Sequence, residues 1–124
     1  MNELNHKTRG VEFRKVYLSD LNAVMRLYQL SQRTTTKLTA DFGLPLSIAS
    51  DGNEIIGYGF AAINQLGEVT LKSHIKGVEE LSMGCTLEEQ AKKTLHSTFE
   101  NAEEDHTKLK HAIQRLVDWL NNCY

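Results

Sequence analysis

The sequence predicts an α+β fold in which a four-stranded, mainly antiparallel sheet packs against an N-terminal helix and one or two long C-terminal helices. Three features lead to this fold class. A tight-turn sequence, Asp51-Gly52-Asn53, separates two strand-like runs. The second run, residues 54–64, is apolar at both alternating sets of positions, as in a central strand with both faces covered. From Thr86 onward, apolar residues recur at helical spacing.

The first strand and the first helix are predicted after a polar tail, residues 1–10, that we expect to be flexible. Residues 11–18 have the composition of a strand, with Val, Phe and Tyr among charged residues. Ser19 and Asp20 form a helix start, because the hydroxyl is able to cap the first turn and the carboxylate favours the positive end of the helix dipole. Apolar residues at helical spacing then predict an amphipathic helix over 20–33.

The three remaining strands are predicted to form a meander, with the first strand added beside it. They cover residues 46–50, 54–64 and 68–77. The last strand is predicted to be half exposed, because apolar and polar side chains alternate along it. The apolar set is Val69, Leu71 and Ile75, and the polar set is Glu68, Thr70, Lys72, His74 and Lys76.

The C-terminal region is predicted to be helical from Thr86, and its sequence fits either one helix or two. One helix over 87–122 would be about 54 Å long at 1.5 Å per residue, which is more than a domain of this size can cover. A break near Asp105-His106-Thr107, where Asp105 or Thr107 is able to cap a new helix, would instead give a hairpin over one face of the sheet. We favour the break.

Length, charge and cysteine usage predict a single cytoplasmic domain over residues 11–124, without a nucleic-acid or membrane partner. A chain of 124 residues is able to bury its own core, and its net charge of −2 provides no basic surface for nucleic acid or anionic lipid. No apolar run approaches the roughly 18 to 20 residues that span a bilayer. Cys85 and Cys123 lack metal-binding spacing, so we expect free thiols in a reducing compartment.

The run FRKVYLSDLNAVMRLYQL, followed by a linker and SIASDGNEIIGYGFAAINQLGEVTL, resembles the N-terminal half of the GNAT acetyltransferases. The resemblance covers roughly residues 11–77. It lies in the order of elements: a strand with an Arg-Lys pair, a helix that opens with an acidic residue and leucine, and an antiparallel meander. It implies an acyl-coenzyme-A-dependent N-acetyltransferase. Complete members continue with further strands where this chain is predicted to be helical, so the resemblance implies a truncated or degenerate scaffold.

In that family, a turn after the fourth strand, with the pattern Gln/Arg-x-x-Gly-x-Gly/Ala, holds the coenzyme pyrophosphate on free backbone amides. The resemblance aligns this turn with LSMGCT (81–86) and implies that the cofactor-binding residues are Met83, Gly84, Cys85 and Thr86. The leading Gln or Arg is missing, and four glutamates surround the turn: Glu79, Glu80, Glu88 and Glu89. Thr86 and Glu89 also fit a capping box that would occupy amides needed by a phosphate. We therefore expect a self-capped helix start and weak or no binding of acetyl-coenzyme A.

Candidate catalytic residues lie on the predicted fourth strand. The resemblance implies that a base, where one exists, is carried by this strand, so His74 or Glu68 would deprotonate an acceptor amine. The alternative is that both side chains belong to a solvated strand face. Gly57 and Gly59 in the central strand leave space for either a ligand or a closely packed helix, and we favour the helix. No metal site is predicted.

Two classes of function stay open. The first is an N-acetyltransferase with weak or no catalytic activity. The second is a non-catalytic protein on a truncated acetyltransferase scaffold that acts through self-association or a partner. We expect a homodimer, formed through the apolar stripe of the C-terminal helical region or through an open edge of the fourth strand.

Overall fold

A four-stranded antiparallel sheet with three α-helices makes up the part of the chain that our computed structural model describes, residues 11–32, 38–76, 81–99 and 107–123. The strands are β1 (Val11–Lys15), β2 (Leu44–Asp51), β3 (Glu54–Ile63) and β4 (Val69–Ile75). The helices are α1 (Leu21–Gln32), α2 (Leu81–Thr98) and α3 (Thr107–Cys123), with 3-10 turns at Leu18–Asp20 and Ala40–Phe42. The predicted fold class is confirmed. The tail predicted at residues 1–10 lies outside the described residues.

The sheet has the strand order β1-β2-β3-β4, and each strand pairs antiparallel with its neighbour. This order confirms the meander with the first strand added beside β2. Asp51 pairs with Glu54, so Gly52 and Asn53 close the β2–β3 hairpin. Gly52 has a φ of +66°, a left-handed conformation that glycine adopts without a steric penalty.

Helix α1 starts differently from the prediction. Ser19 was expected to cap the helix, but it lies inside the 3-10 turn Leu18–Asp20 that leads into α1. Tyr17 caps this turn, and its amide donates to the Asp20 carboxylate at 2.8 Å. Arg14 also donates to both Asp20 oxygens, at 2.8 and 3.0 Å, and lowers the pKa of this buried carboxyl. The strand that was predicted to reach residue 18 ends at Lys15, because this ion pair turns the chain from β1 into α1.

Helix α2 packs directly on the face of the sheet that carries Gly57 and Gly59. A Cβ atom at Gly59 would lie 2.5 Å from the carbonyl oxygen of Leu87 and 2.5 Å from Oγ of Ser47. Ser47 itself donates a buried hydrogen bond of 2.8 Å to that carbonyl oxygen. The glycines therefore admit the backbone of a helix, which confirms the packing interpretation.

The C-terminal region forms two helices, as favoured, since α2 ends at Thr98 and α3 begins at Thr107. Of the apolar stripe predicted along this region, six residues are buried inside the chain: Leu87, Ala91, Leu95, Leu109, Ile113 and Leu120. Phe99 and Leu116 are partly buried against the same core, and Ala102 lies outside the described residues. The stripe predicted to drive dimer formation is therefore occupied by the protein's own core. Asn121 in α3 also exchanges two hydrogen bonds with the backbone of Leu38, at 2.8 and 2.9 Å, which anchors the segment that leads to the 3-10 turn at Ala40–Phe42.

No helix in the described ranges carries an apolar stretch long enough to cross a lipid bilayer.

Candidate functional site

A cleft of about 460 Å³ lies on the sheet face opposite α2, between that face, α1 and the 3-10 turn at Ala40–Phe42. The register pairs Phe60 with Lys72 and Ala62 with Thr70, so these side chains form one floor together with His74. Tyr28 of α1 and Asp41 of the 3-10 turn form the walls. The β3–β4 connection closes one end with Ile63, Asn64 and Gln65. The volume falls within the range of small-molecule sites.

His74 is half-buried against aromatic rings in this cleft. Its ring stacks on Phe60, with centroids 5.1 Å apart and planes 19° apart, and contacts Tyr58 at 5.4 Å and Tyr28 at 6.2 Å. Burial, with a smaller contribution from the charge of Lys72, lowers the pKa of His74 below its ordinary value. The imidazole is therefore neutral at neutral pH and able to accept a proton. The strand face that was the alternative for His74 is therefore partly covered at this residue.

Glu68 lies away from His74, in the connection between β3 and β4. Its side chain is exposed, and its carboxylate accepts a hydrogen bond of 3.2 Å from the side-chain amide of Asn64. Asn64 also accepts from the backbone amides of Leu66 and Glu68, at 2.9 and 2.8 Å, and so stabilises the turn. The structure does not bring the two candidate catalytic residues together, and Glu68 has a turn-forming role.

The candidate cofactor residues Met83, Gly84, Cys85 and Thr86 lie inside α2, which begins at Leu81. The predicted helix start at Thr86 and its capping box with Glu89 are wrong. Thr86 is the sixth residue of the helix, and its hydroxyl donates to the carbonyl oxygen of Ser82 at 2.9 Å. In an α-helix, each amide donates to the carbonyl oxygen four residues earlier, so the amides of Cys85 and Thr86 are used within the helix. The amides of Met83 and Gly84 lie in the first turn, where no such carbonyl is available.

The beginning of α2 packs closely on β4. A Cβ atom at Gly84 would lie 3.1 Å from Oγ of Ser73, so the helix approaches the strand at this glycine. The Ser73 hydroxyl donates to the Glu88 carboxylate at 3.0 Å, which holds a negative charge beside the strand. Glu79 and Glu80 lie outside the described residues. A carboxylate fixed here opposes the binding of a pyrophosphate at this helix start.

The outer edge of β4 presents backbone groups that face away from the sheet. The amide of Lys76 donates to Ile56 at 2.7 Å and the amide of Asn64 donates to the carbonyl oxygen of Glu68 at 2.9 Å. In an antiparallel ladder, hydrogen-bonded pairs alternate with pairs whose N–H and C=O groups point outward. With the observed register, the outward set is Val69, Leu71, Ser73 and Ile75. Within the described ranges no strand pairs with this edge.

One buried polar group near the cleft lacks a partner. The hydroxyl of Tyr58, a fully buried residue, makes no hydrogen bond with the described residues. Burial raises its pKa above the ordinary value for tyrosine. An unpaired buried hydroxyl costs stability, so this atom is a weak point in the packing between β3 and α1.

Sequence reasoning placed His74 and Lys72 on one strand face but missed the groups that face them. Tyr28 and Asp41 reach the cleft from a helix and a turn that are distant in sequence, and no local motif links them to β4. The described residues contain no group of three His, Cys, Asp or Glu side chains placed to hold a metal ion. Comparisons with protein-family models, curated proteins and solved structures find no match.

Proposed function

We propose that the chain is an acetyltransferase-like protein that binds acyl-coenzyme A weakly along β4 and has weak or no catalytic activity. The observation that carries the proposal is the outward row of backbone groups on β4, directly beside the cleft that contains His74. In the resembled family, the fourth strand pairs with the pantetheine arm through such groups. We expect the amides of the pantetheine arm to pair with the outward groups of Leu71 and Ser73.

In this proposal, the acceptor amine binds in the cleft beside His74. A neutral His74 takes a proton from an acceptor ammonium, and the free amine then attacks the thioester carbonyl carbon. A C–N bond forms, the C–S bond breaks, and the proton released from nitrogen reaches the departing thiolate. Glu68 has no part in this scheme, because its carboxylate lies in the β3–β4 connection.

Weak binding follows from the start of α2. The amides of Cys85 and Thr86 serve the helix, and Glu88 is held beside β4 by Ser73. The pyrophosphate therefore has few free donors and a nearby negative charge, so most of the affinity comes from the pantetheine arm. We expect a dissociation constant for acetyl-coenzyme A between about 0.1 and 1 mM.

Isothermal titration calorimetry with acetyl-coenzyme A tests this proposal. Ser73→Pro removes an outward N–H without removing a β3–β4 hydrogen bond, so it should abolish the binding while the sheet stays intact. Ser73→Ala is the matched control, because it removes the same hydroxyl but keeps the N–H. It should bind at least as tightly as the unmodified protein, since it also releases the Glu88 carboxylate. Absence of heat at millimolar coenzyme would refute the proposal. A low micromolar constant with amide shifts at 83–86 would instead refute our account of the helix start.

The same edge favours a second candidate function, which is self-association without catalysis. An unpaired strand edge is a template for another strand, and Leu71 is only partly covered by the core. Light scattering should then give twice the chain mass of 14.0 kDa, and Ser73→Pro should return the particle to one chain mass. A particle of one chain mass at micromolar concentration for the unmodified protein would contradict the homodimer.

A further inference from the structure

We propose that the cleft beside His74 binds a small zwitterion, a molecule that carries an ammonium group and a carboxylate group, with the ammonium at Asp41 and the carboxylate at Lys72. This binding goes beyond the proposed function and does not require the coenzyme.

Several of the polar lining groups already have partners. The Thr70 hydroxyl donates to the carbonyl oxygen of Ala62 at 3.2 Å, and the Asn64 side chain makes three hydrogen bonds within the β3–β4 connection. Tyr28 also has a polar partner, the side chain of Thr39. In contrast, no hydrogen bond or ion pair within the described ranges involves the side chains of Asp41, Lys72 or His74.

Asp41 and Lys72 carry opposite charges and line the same cleft. Asp41 lies on the wall beside Tyr28, where its charge contributes to the raised pKa of that phenol. Lys72 lies on the floor beside His74, where its charge contributes to the lowered pKa of that imidazole. The centroids of these two rings are 6.2 Å apart, so both charges lie near the same pair of rings. A ligand with one positive and one negative charge pairs with both residues, whereas a ligand with a single charge leaves either Asp41 or Lys72 unpaired.

The centre of the cleft is suited to an apolar group between the two charges. Phe60 and Ala62 contribute apolar floor, and the face of His74 is held parallel to Phe60. The half-buried ring of His74 is the aromatic surface of this floor that is able to stack on a planar side chain. The charged residues are exposed, so changing either of them leaves the core unaltered.

Three probes of similar shape separate the contributions of the two charges: phenylalanine carries both, phenethylamine carries only the ammonium, and 3-phenylpropionate carries only the carboxylate. We expect phenylalanine to bind with millimolar affinity or better, and each single-charge probe to bind about tenfold more weakly. The measurement is the shift of amide resonances during titration without coenzyme, with the largest changes at Lys72 and His74.

Two variants assign each charge to its residue. Lys72→Met should remove the preference for phenylalanine over phenethylamine, and Asp41→Asn should remove the preference over 3-phenylpropionate. Lys110→Met, an exposed lysine of α3, is the control and should keep both preferences. Equal affinities for the three probes, or no shifts at about 10 mM phenylalanine, would overturn the inference. Because no coenzyme is added, this result is independent of the calorimetric test of acetyl-coenzyme A binding.

Discussion

Replacing Gly59 by alanine should strongly destabilise the protein, because α2 lies directly on this glycine. The new methyl carbon would sit 2.5 Å from the carbonyl oxygen and 3.0 Å from the carbonyl carbon of Leu87, which belong to the helix backbone. The first contact is about 1 Å shorter than an optimal separation, and a helix backbone cannot rotate away as a side chain does. Overpacking costs about 1 to 3 kcal/mol, and we expect the upper end of this range.

The hydrogen bond from Ser47 to Leu87 adds to this cost. The same methyl carbon would lie 2.5 Å from Oγ of Ser47, so the bond of 2.8 Å has to lengthen or break, at about 1 kcal/mol. The total of about 3 to 4 kcal/mol corresponds to a fall in Tm of very roughly 12 to 16 °C for a domain of this size. Thermal unfolding by circular dichroism and the urea midpoint both measure it.

Gly57 provides the matched control on the same strand face. A Cβ atom there would meet its nearest neighbours at 3.1 to 3.3 Å, and two of these three are side-chain atoms. Gly57→Ala should therefore cost less than about 1 kcal/mol. Adding Ser47→Ala to Gly59→Ala removes one of the two 2.5 Å contacts and should restore part of the stability. If Gly59→Ala were no more costly than Gly57→Ala, the helix would not be seated on the strand, and the glycine would be free to face a ligand.

Two further variants test the aromatic cluster of the cleft. The pKa of His74 is lowered in the folded protein, so the unfolded chain binds more protons. The free energy of unfolding should therefore fall as the pH drops from about 6.5 to the folded pKa, by at most about 1.4 kcal/mol per pH unit. His74→Gln should reduce this slope in urea titrations and His111→Gln, exposed on α3, should not; equal slopes in the two variants would contradict the burial of His74. Tyr58→Phe removes a buried hydroxyl without a partner and should leave the stability unchanged or raise it by about 1 kcal/mol. A loss of more than 1 kcal/mol would reveal a partner for this hydroxyl.

The strands were predictable because their signals are local. The turn at Gly52 and the apolar run of β3 fix the hairpin within a few residues, and β3 is covered on both faces as its composition requires. The start of α2 was not predictable in this way. Gly84 was interpreted as part of a turn, because the resemblance aligned it with the glycine of a phosphate-binding pattern. A glycine inside a helix costs about 1 kcal/mol relative to alanine. Its benefit is the close packing of the helix on Ser73, which is a long-range contact.

The environment of His74 was not predictable from the sequence for a similar reason. Alternation along β4 correctly put it on the same side as Lys72, but alternation does not say what covers that side. Coverage comes from Tyr28 and from the 3-10 turn that contains Asp41, both of which are distant along the chain. Residues that make contact only through tertiary structure leave no periodic signal, so the site is less predictable than the sheet that carries it.

The two proposed uses of β4 exclude each other. A pantetheine arm and the strand of a second chain both require the outward N–H and C=O groups of Leu71 and Ser73, and each of these groups has one place for an in-plane partner. A strand pairs with the whole row of outward groups, whereas the arm uses only a part of it, so strand pairing is the stronger competitor. The negative charge of Glu88 beside Ser73 weakens the binding of the coenzyme further, but it has little effect on pairing with a neutral strand backbone. Under the proposed function, the single chain would therefore bind the coenzyme, and a dimer formed through this edge would not. The cleft at His74 lies on the face of the sheet rather than at its edge, so its ligand is able to bind in both states.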